Sequence, residues 1–243
     1  MASALEVRNV SVEFGGIAAL TGVNLTAEAG AVTGIMGPNG AGKTTLFNVI
    51  SGLTRPNTGA VFIDGKAVTH LPASARAKRG LSRTFQRLEL FGSLTAIENV
   101  MVGAEARRGV ELRPRERALE LLALVGIADD STALASALPT GKARLVELAR
   151  ALSIRPKVLL LDEPASGLDQ DEGRALAELL GRLAEGDCAV VLVDHDVELM
   201  MSVCDTITVL DAGKVIARGS PEDLRVNETV RAAYLGPAVE LGS

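Results

Sequence analysis

Nine consecutive residues, Gly37-Pro38-Asn39-Gly40-Ala41-Gly42-Lys43-Thr44-Thr45, carry the densest chemistry of the chain. They fit the pattern G-x-x-x-x-G-K-[ST], in which glycines let successive backbone N–H groups converge on phosphate oxygens. Lys43 would reach the β- and γ-phosphates, the Thr44 hydroxyl would bind Mg²⁺, and Thr45 would help hold the α-phosphate. Downstream, Asp162 and Glu163 follow the apolar run Val158-Leu159-Leu160-Leu161. Asp162 is placed to hold Mg²⁺ directly or through water, and Glu163 to polarise an attacking water as general base. Gln86 and His195 each end a further expected strand. A neutral amide can orient water or a metal-bound water, and an imidazole can donate to a γ-phosphate oxygen as charge develops there. The combination describes hydrolysis of a nucleoside triphosphate.

These groups need a scaffold that gathers them. Ala31 to Met36 is a short strand-like run ahead of the glycine-rich turn, and Leu46 to Ser51 is apolar at helical spacing and stops at Gly52. Strand, turn and helix together aim free N–H donors and a positive helix end at phosphate. Val158–Leu161 and Ala189–Val193 are continuous apolar runs, as expected of parallel strands covered on both faces. Ligands in such sheets bind beyond the C-terminal strand ends, where Asp162, Glu163 and His195 fall. Alternating apolar residues over Leu5–Phe14 and a looser run over Ile17–Leu25 predict strands joined at Gly15-Gly16. Gly59–Val68 predicts a hairpin with Asp64-Gly65 at its tip.

Pro72–Lys78 predicts a short helix, with His70 in an exposed loop before it, and Leu81–Phe85 a strand. Leu94–Val102, Arg115–Val125 and Lys142–Leu152 then show helical spacing with few strand signals. Asp171–Ala184 and Val197–Val203 predict helices, and Thr206–Leu210 with Lys214–Arg218 a second hairpin. Ser220-Pro221-Glu222-Asp223 is a helix start, and a last helix is expected over about Glu228–Leu235. Strands alternating with helices, interrupted by one helical block, indicate an α/β nucleotide-binding core with a helical insertion.

Bulk composition is compatible with that. The 243 residues are 47% hydrophobic and 23% charged, with a net charge of −5. An acidic chain is a poor non-specific nucleic-acid or anionic-lipid binder, and Arg107, Arg108, Arg113, Arg115 and Arg117 are interleaved with Glu as on a solvated face. No apolar run approaches the ~18 residues of a membrane span, and residues 1–6 lack signal-peptide features. Cys188 and Cys204 form no C-x-x-C pair and read as buried reduced thiols.

In order along the chain stand Phe14-Gly15-Gly16, the phosphate loop, Gln86, the helical block, Leu161-Asp162-Glu163-Pro164, Ser166-Gly167-Leu168-Asp169 and Asp194-His195-Asp196. This series resembles the ATP-binding subunits of ABC transporters over essentially the whole chain. The resemblance implies a P-loop NTPase fold: a mostly parallel sheet, an antiparallel β subdomain and an inserted α-helical subdomain. Residues 1–86 and 154–219 would form the core with its β subdomain, 87–153 the helical subdomain and 220–243 a C-terminal tail. By position alone Phe14 reads as a turn-packing residue; the resemblance assigns it to adenine stacking. It also assigns Gln86 to the Q-loop, Asp169 to a contact across an ATPase dimer and His195 to the switch histidine. ATP and Mg²⁺ are the implied ligands. Arg83-Thr84-Phe85-Gln86-Arg87-Leu88-Glu89-Leu90-Phe91, Leu94–Val100 and the ending Val230–Gly236 further resemble the LivG-type subunits of branched-chain amino-acid importers. Lipopolysaccharide-export and urea-import ATPases are similar at that ending, and a soluble ABC-type regulatory ATPase is the remaining alternative.

One segment departs from the family. Where its signature is Leu-Ser-Gly-Gly-Gln, this chain has Leu138-Pro139-Thr140-Gly141-Lys142. Pro139 removes a hydroxyl and an N–H, while Gly141 and a helix start retain some anion-binding capacity. The departure implies an asymmetric pair with a second ATPase carrying an intact signature, with a homodimer of this chain as the alternative. The resemblance also implies separate permease chains, an external substrate-binding protein acting through them, and a place on the cytoplasmic side of the cell membrane. Phe85, Leu88, Leu90 and Phe91 are the expected apolar contacts for the permease.

Overall fold

The computed structural model describes residues 3–106 and 113–231. Strands β1 (Ser3–Phe14) and β2 (Ile17–Glu28) pair antiparallel around Gly15-Gly16, both at positive φ. They join β4 (Thr58–Ile63) and the two-residue β5 (Lys66–Ala67) in a sheet of order β2-β1-β4-β5. Asp64 and Gly65 form the expected hairpin tip, both with φ > 0.

The second sheet holds the chemistry. Its strands are β3 (Val32–Met36), β6 (Leu81–Arg83), β7 (Val158–Asp162), β8 (Ala189–Val193), β9 (Thr206–Asp211) and β10 (Lys214–Gly219). Their order is β10-β9-β3-β8-β7-β6, parallel throughout except for the antiparallel edge strand β10. Every residue of β3, β7 and β8 is buried. Period-2 alternation assigns their side chains to two cores. Val158, Leu160, Val191 and Val193 pack with the antiparallel sheet and α1 (Lys43–Ser51). Leu159, Leu161, Val190 and Leu192 pack toward the helical block and α6 (Gln170–Ala184). The parallel sheet is thus the middle layer, which explains why its strands read as unbroken apolar runs.

Between β6 and β7 lie α3 (Ala96–Ala106), α4 (Pro114–Leu124) and α5 (Thr140–Ser153), after the short α2 (Ala73–Lys78) that precedes β6. Val100, Leu121, Leu122 and Val146 form their shared core. Thr95 and Glu98 exchange hydrogen bonds at the start of α3, a reciprocal cap. Helices α7 (Val197–Val203) and α8 (Pro221–Val226) flank β9 and β10, and α8 carries the expected Ser220/Asp223 capping box.

Three expectations change. The strand expected over Leu81–Phe85 ends at Arg83, because Arg83 and Thr84 turn inward to bond Asp162. Cys204 is buried but Cys188 only half-buried. Of the expected permease-facing apolar residues only Phe91 is exposed; Phe85, Leu88 and Leu90 are half-buried, and Leu90 packs against the core. Helix expected beyond Arg231, and Arg107 and Arg108, lie outside the described residues.

Candidate active site

The turn from β3 to α1 is built by three glycines with left-handed or nearly extended φ. Gly37 approaches β9 so closely that a Cβ there would lie 2.2 Å from Leu210 O. At Gly42 it would meet Leu20 Cδ2 at 2.7 Å and Ala19 O at 2.8 Å. Close packing pins the loop at Gly37 and Gly42, whereas Gly40 (φ +82°) faces open space. Lys43 starts α1 and is buried. Its ammonium donates to the carbonyls of Gly37 (2.5 Å) and Pro38 (3.0 Å). Burial lowers its pKa, against the opposing pull of Glu163 and Asp162.

A cavity of ≈ 270 Å³ opens in front of this turn, lined by Asn39 to Thr45 on one side and by Gln86, Asp162, Glu163 and His195 on the other. Residues from four separate elements therefore meet at one place, all at C-terminal ends of parallel strands.

Asp162 ends β7 as a buried carboxylate. Arg83 Nη2 lies 3.0 Å from its Oδ2, and Arg83 Nη1 donates to Asn48 Oδ1 and Ser51 Oγ on α1. Arg83 thereby ties Asp162 to the phosphate-loop helix. Burial raises the Asp162 pKa while the guanidinium holds it down, and burial lowers that of Arg83.

Glu163 adopts φ +52°, a left-handed backbone uncommon outside glycine. Its N–H donates to Val193 O at 2.7 Å, locking the turn. Its carboxylate is held from two sides: Gln86 Nε2 lies 3.2 Å from each oxygen, and His195 Nε2 lies 2.6 Å from Oε1. The Glu163 side chain is 15% exposed and that of His195 52%. Beneath them the buried Asp194 accepts from Ala165 and Asp196 N–H groups, and burial raises its pKa.

Five expected residues do not line this cavity: Gly37 and Pro38 at the start of the phosphate loop, and, farther along or before it in sequence, Phe14, Asp169 and Gly141. Phe14 is 54% exposed at the β1–β2 turn, beside the still more exposed Ile17. Asp169 caps α6, accepting from the N–H groups of Asp171 and Glu172. Gly141 is buried in the first turn of α5, where a Cβ would meet Glu172 Oε2, Gly167 O and Leu168 Cδ2 at 2.9–3.1 Å. Pro139 precedes that helix with no side-chain cap, and Lys142 pairs with Asp130 at 2.7 Å. Arg83 and Arg144 escaped the residue-by-residue reading. The only signal for Arg83 was a charge at the end of an apolar strand.

The donor set suits a nucleoside triphosphate with Mg²⁺. Thr44 and Asp162 offer hard oxygen ligands, and no cluster of three or more metal-binding side chains occurs among the described residues. Mg²⁺ is commonly held this way, by one or two protein oxygens plus substrate phosphates.

Residues 20–166 match the family model described as "ABC transporter", and residues 214–236 one described as "Branched-chain amino acid ATP-binding cassette transporter". The chain is 38% identical to the high-affinity branched-chain amino acid transport ATP-binding protein BraF of Pseudomonas aeruginosa, covering 96% of this chain and 98% of that one. This chain belongs to the ABC transporter ATP-binding family. It is 34% identical to LivG of Escherichia coli (strain K12), with the same coverage. It is 36% identical to the lipopolysaccharide export protein LptB of Haemophilus influenzae, covering 98% of this chain and all of that one. Among solved structures, the ADP conformation of MJ1267, an ATP-binding cassette, superposes with a TM-score of 0.86 at 27% identity, covering 98% and 100%. The dimeric post-hydrolysis cassette MJ0796 bound to ADP and Pi gives 0.81 at 32% identity, covering 89% and 98%. The ABC subunit described here is an ATP-binding ATPase of a transporter, with the mostly parallel sheet, antiparallel sheet and helical block expected of it.

Proposed function

We propose that this ABC ATPase powers the import of branched-chain amino acids, hydrolysing ATP at the cavity between the phosphate loop and Glu163. The observation that carries the catalytic part is the Glu163 carboxylate clasped by Gln86 and His195 opposite the phosphate loop. Backbone N–H groups of residues 39–45 and Lys43 bind the phosphates, Lys43 leaving its loop carbonyls to do so. Thr44 and Asp162 would hold Mg²⁺ and Gln86 would orient water beside them; the ion would supply neutralisation of charge on the phosphate oxygens. Glu163 accepts the proton of the attacking water as its oxygen bonds to the γ-phosphorus and the bond to ADP breaks. His195 donates to a γ-phosphate oxygen as negative charge develops. Phe14 stacks on adenine, standing exposed where a ring can reach it.

The match of residues 214–236 and the identity to BraF and LivG support the substrate assignment. The similarity to LptB supports a second reading, a lipid or lipopolysaccharide exporter. No helix among the described residues is long and apolar enough to cross a membrane, so in this reading permease subunits anchor the ATPase to the cytoplasmic face. Two ATPases enclose ATP between them, with Asp169 and Gly141 facing the partner. The altered segment Leu138–Lys142 favours a distinct partner with an intact signature over a second copy of this chain; the importer reading adds a binding protein outside the cell acting through the permease, and the net charge of −5 speaks against a role for nucleic acid.

Purification of the complex from native membranes tests both parts. We expect a second ATPase and permease chains to accompany this one, and Glu163→Gln to abolish most ATP hydrolysis while ATP still binds. Full hydrolysis by that variant would remove Glu163 as the base. Recovery only as a self-dimer would remove the asymmetric pairing.

A further inference from the structure

The loop that presents Gln86 is held by a helix rather than by the sheet. The β6 ladder ends when Thr84 N–H donates to Leu160 O. Among the described residues the next backbone–backbone bond after it is Leu94 N–H to Phe91 O. Between these points α5 takes over. Arg144 donates from Nη1 to Phe85 O at 2.6 Å and from Nη2 to Gln86 O. One turn on, Glu147 accepts from Glu89 N–H at 3.4 Å. Another turn on, the Arg150 guanidinium lies 5.7 Å from the centre of the Phe91 ring. Positions 144, 147 and 150 form one stripe, since residues three apart share a helix face. That stripe follows the loop from Phe85 to Phe91 in register.

The two side chains nearest Gln86 are enclosed, with Arg144 at 9% and Glu147 at 2% exposure and 3.6 Å between them. A forked guanidinium bonded to two successive carbonyls fixes orientation as well as distance. Arg144 stands two residues after Lys142, directly behind the altered segment at the start of α5. On its other side, Gln86 is bonded to Glu163. A continuous chain of contacts runs from the first turn of α5 through Arg144 and Gln86 to Glu163.

We propose that Arg144 is a positioning residue that sets Gln86 against Glu163 and makes that setting depend on where the start of α5 sits. An ATPase partner docking on the segment 138–142 would thereby adjust the hydrolytic geometry of this chain's own site. Arg144 touches no reacting atom; it acts through Gln86. The inference rests on the proposed role of Glu163 and has its own test.

The test uses the complete purified transporter with Arg144→Lys, Gln86→Ala and the double variant, beside Glu163→Gln. Lysine keeps the charge but cannot bond both carbonyls as a fork. We expect Arg144→Lys to lower kcat for ATP about ten- to a hundredfold, the scale of a misplaced catalytic group, with KM within about twofold. We also expect the double variant to be no slower than Gln86→Ala alone, because Arg144 acts only through that residue. Glu147→Gln, which keeps shape but releases charge, should show a smaller loss with the same unchanged KM. Multiplying losses in the double variant, or a rise in KM equal to the fall in kcat/KM, would overturn the proposal and leave Arg144 a packing residue. Hydrolysis surviving Glu163→Gln would instead overturn the assignment of the base.

Discussion

Arg83 and Asp162 lie against each other with both side chains 6% exposed. Burial works against both charges, and each supports the other. Removing one partner strands the other, which typically costs ~3–5 kcal/mol, whereas replacing both by neutral groups costs much less. Arg83→Met should therefore lower the urea midpoint strongly with little change in slope, and Arg83→Met with Asp162→Asn should recover much of the loss. A single variant as stable as the parent would show that Asp162 finds another partner or a proton. Asp162, Glu163 and the phosphate loop were legible in the sequence because strand-end acids and the glycine pattern have fixed meanings there. Arg83 was not, because its task depends on β6 lying beside β7 with Asn48 and Ser51 across from it, and only the fold creates that neighbourhood. Gly37 and Gly42 show a different gap. The motif explains their backbone freedom, but Leu210, Leu20 and Ala19 explain why a side chain has no room.

The helix that aims its N-terminus at phosphate has to be held at its other end too. Arg76, 1% exposed, donates to Val49 O and Ile50 O in the last turn of α1, and to Leu71 O and Thr69 O in the loop between β5 and α2. Burial pushes its guanidinium down to about 10, still charged at neutral pH, and a cation there suits the negative helix end. Arg76→Leu leaves the Ile50, Leu71 and Thr69 carbonyls without the guanidinium, at ~1–3 kcal/mol for each that stays unpaired, while Val49 O keeps the Gly52 N–H. We expect a loss of several kcal/mol in urea unfolding and weaker ATP binding in titration; an unchanged midpoint would mean that water replaces the guanidinium. The sequence shows Arg76 only as one base in a short helix. Nothing local signals that α2 (Ala73–Lys78) serves as a cap for α1.

At the far end of α7, Cys204 packs so closely on β3 that a Cβ at Gly34 would lie 2.8 Å from its sulfur. Burial pushes its thiol from 9.0 up to about 12, and that of Cys188 to about 11. With folded values raised, the native state keeps these protons after the unfolded chain releases them. Their contribution is whole below pH 9 and is lost as pH rises through 11 and 12. Each thiol adds a slope of about 1.4 kcal/mol per pH unit across that window. Cys204→Ala should cost stability at pH 7 through lost packing but lose less between pH 9 and pH 11. Parallel stability curves for parent and variant would show that the thiol titrates alike in both states.

The whole molecule is three layers in which the parallel sheet separates two cores, and the helical block shares one of them. The unbroken apolar runs made a parallel sheet covered on both faces legible, and the break in strand–helix alternation made the helical block so, while the antiparallel sheet as a separate layer came only with the family resemblance; a surface completed by a partner leaves no such periodic signal. The segment Leu138–Lys142 lies on that surface in the proposed pairing. There Pro139 caps α5 without a side-chain bond, Gly141 is wedged against Gly167 and Leu168, and Lys142 is engaged by Asp130. Gly141 cannot be enlarged without moving the α6 entry, so the helix start is kept while the serine and the first glycine of the family signature are gone. One missing phosphate donor costs about 3–4 kcal/mol at a transition state, a factor of 10²–10³. The ATP facing this segment should thus turn over far more slowly than the ATP bound by this chain's own loop. Pro139→Ser with Thr140→Gly should then raise steady-state hydrolysis of the complex by adding a second competent site. It should also leave measurable activity when Glu163→Gln is introduced beside it, since the partner's site no longer depends on this chain's base. Activity that stays flat in the repaired complex, with the same residual hydrolysis under Glu163→Gln whether or not the segment is repaired, would mean that the altered segment already supports its site and that the two ATPases hydrolyse as equals.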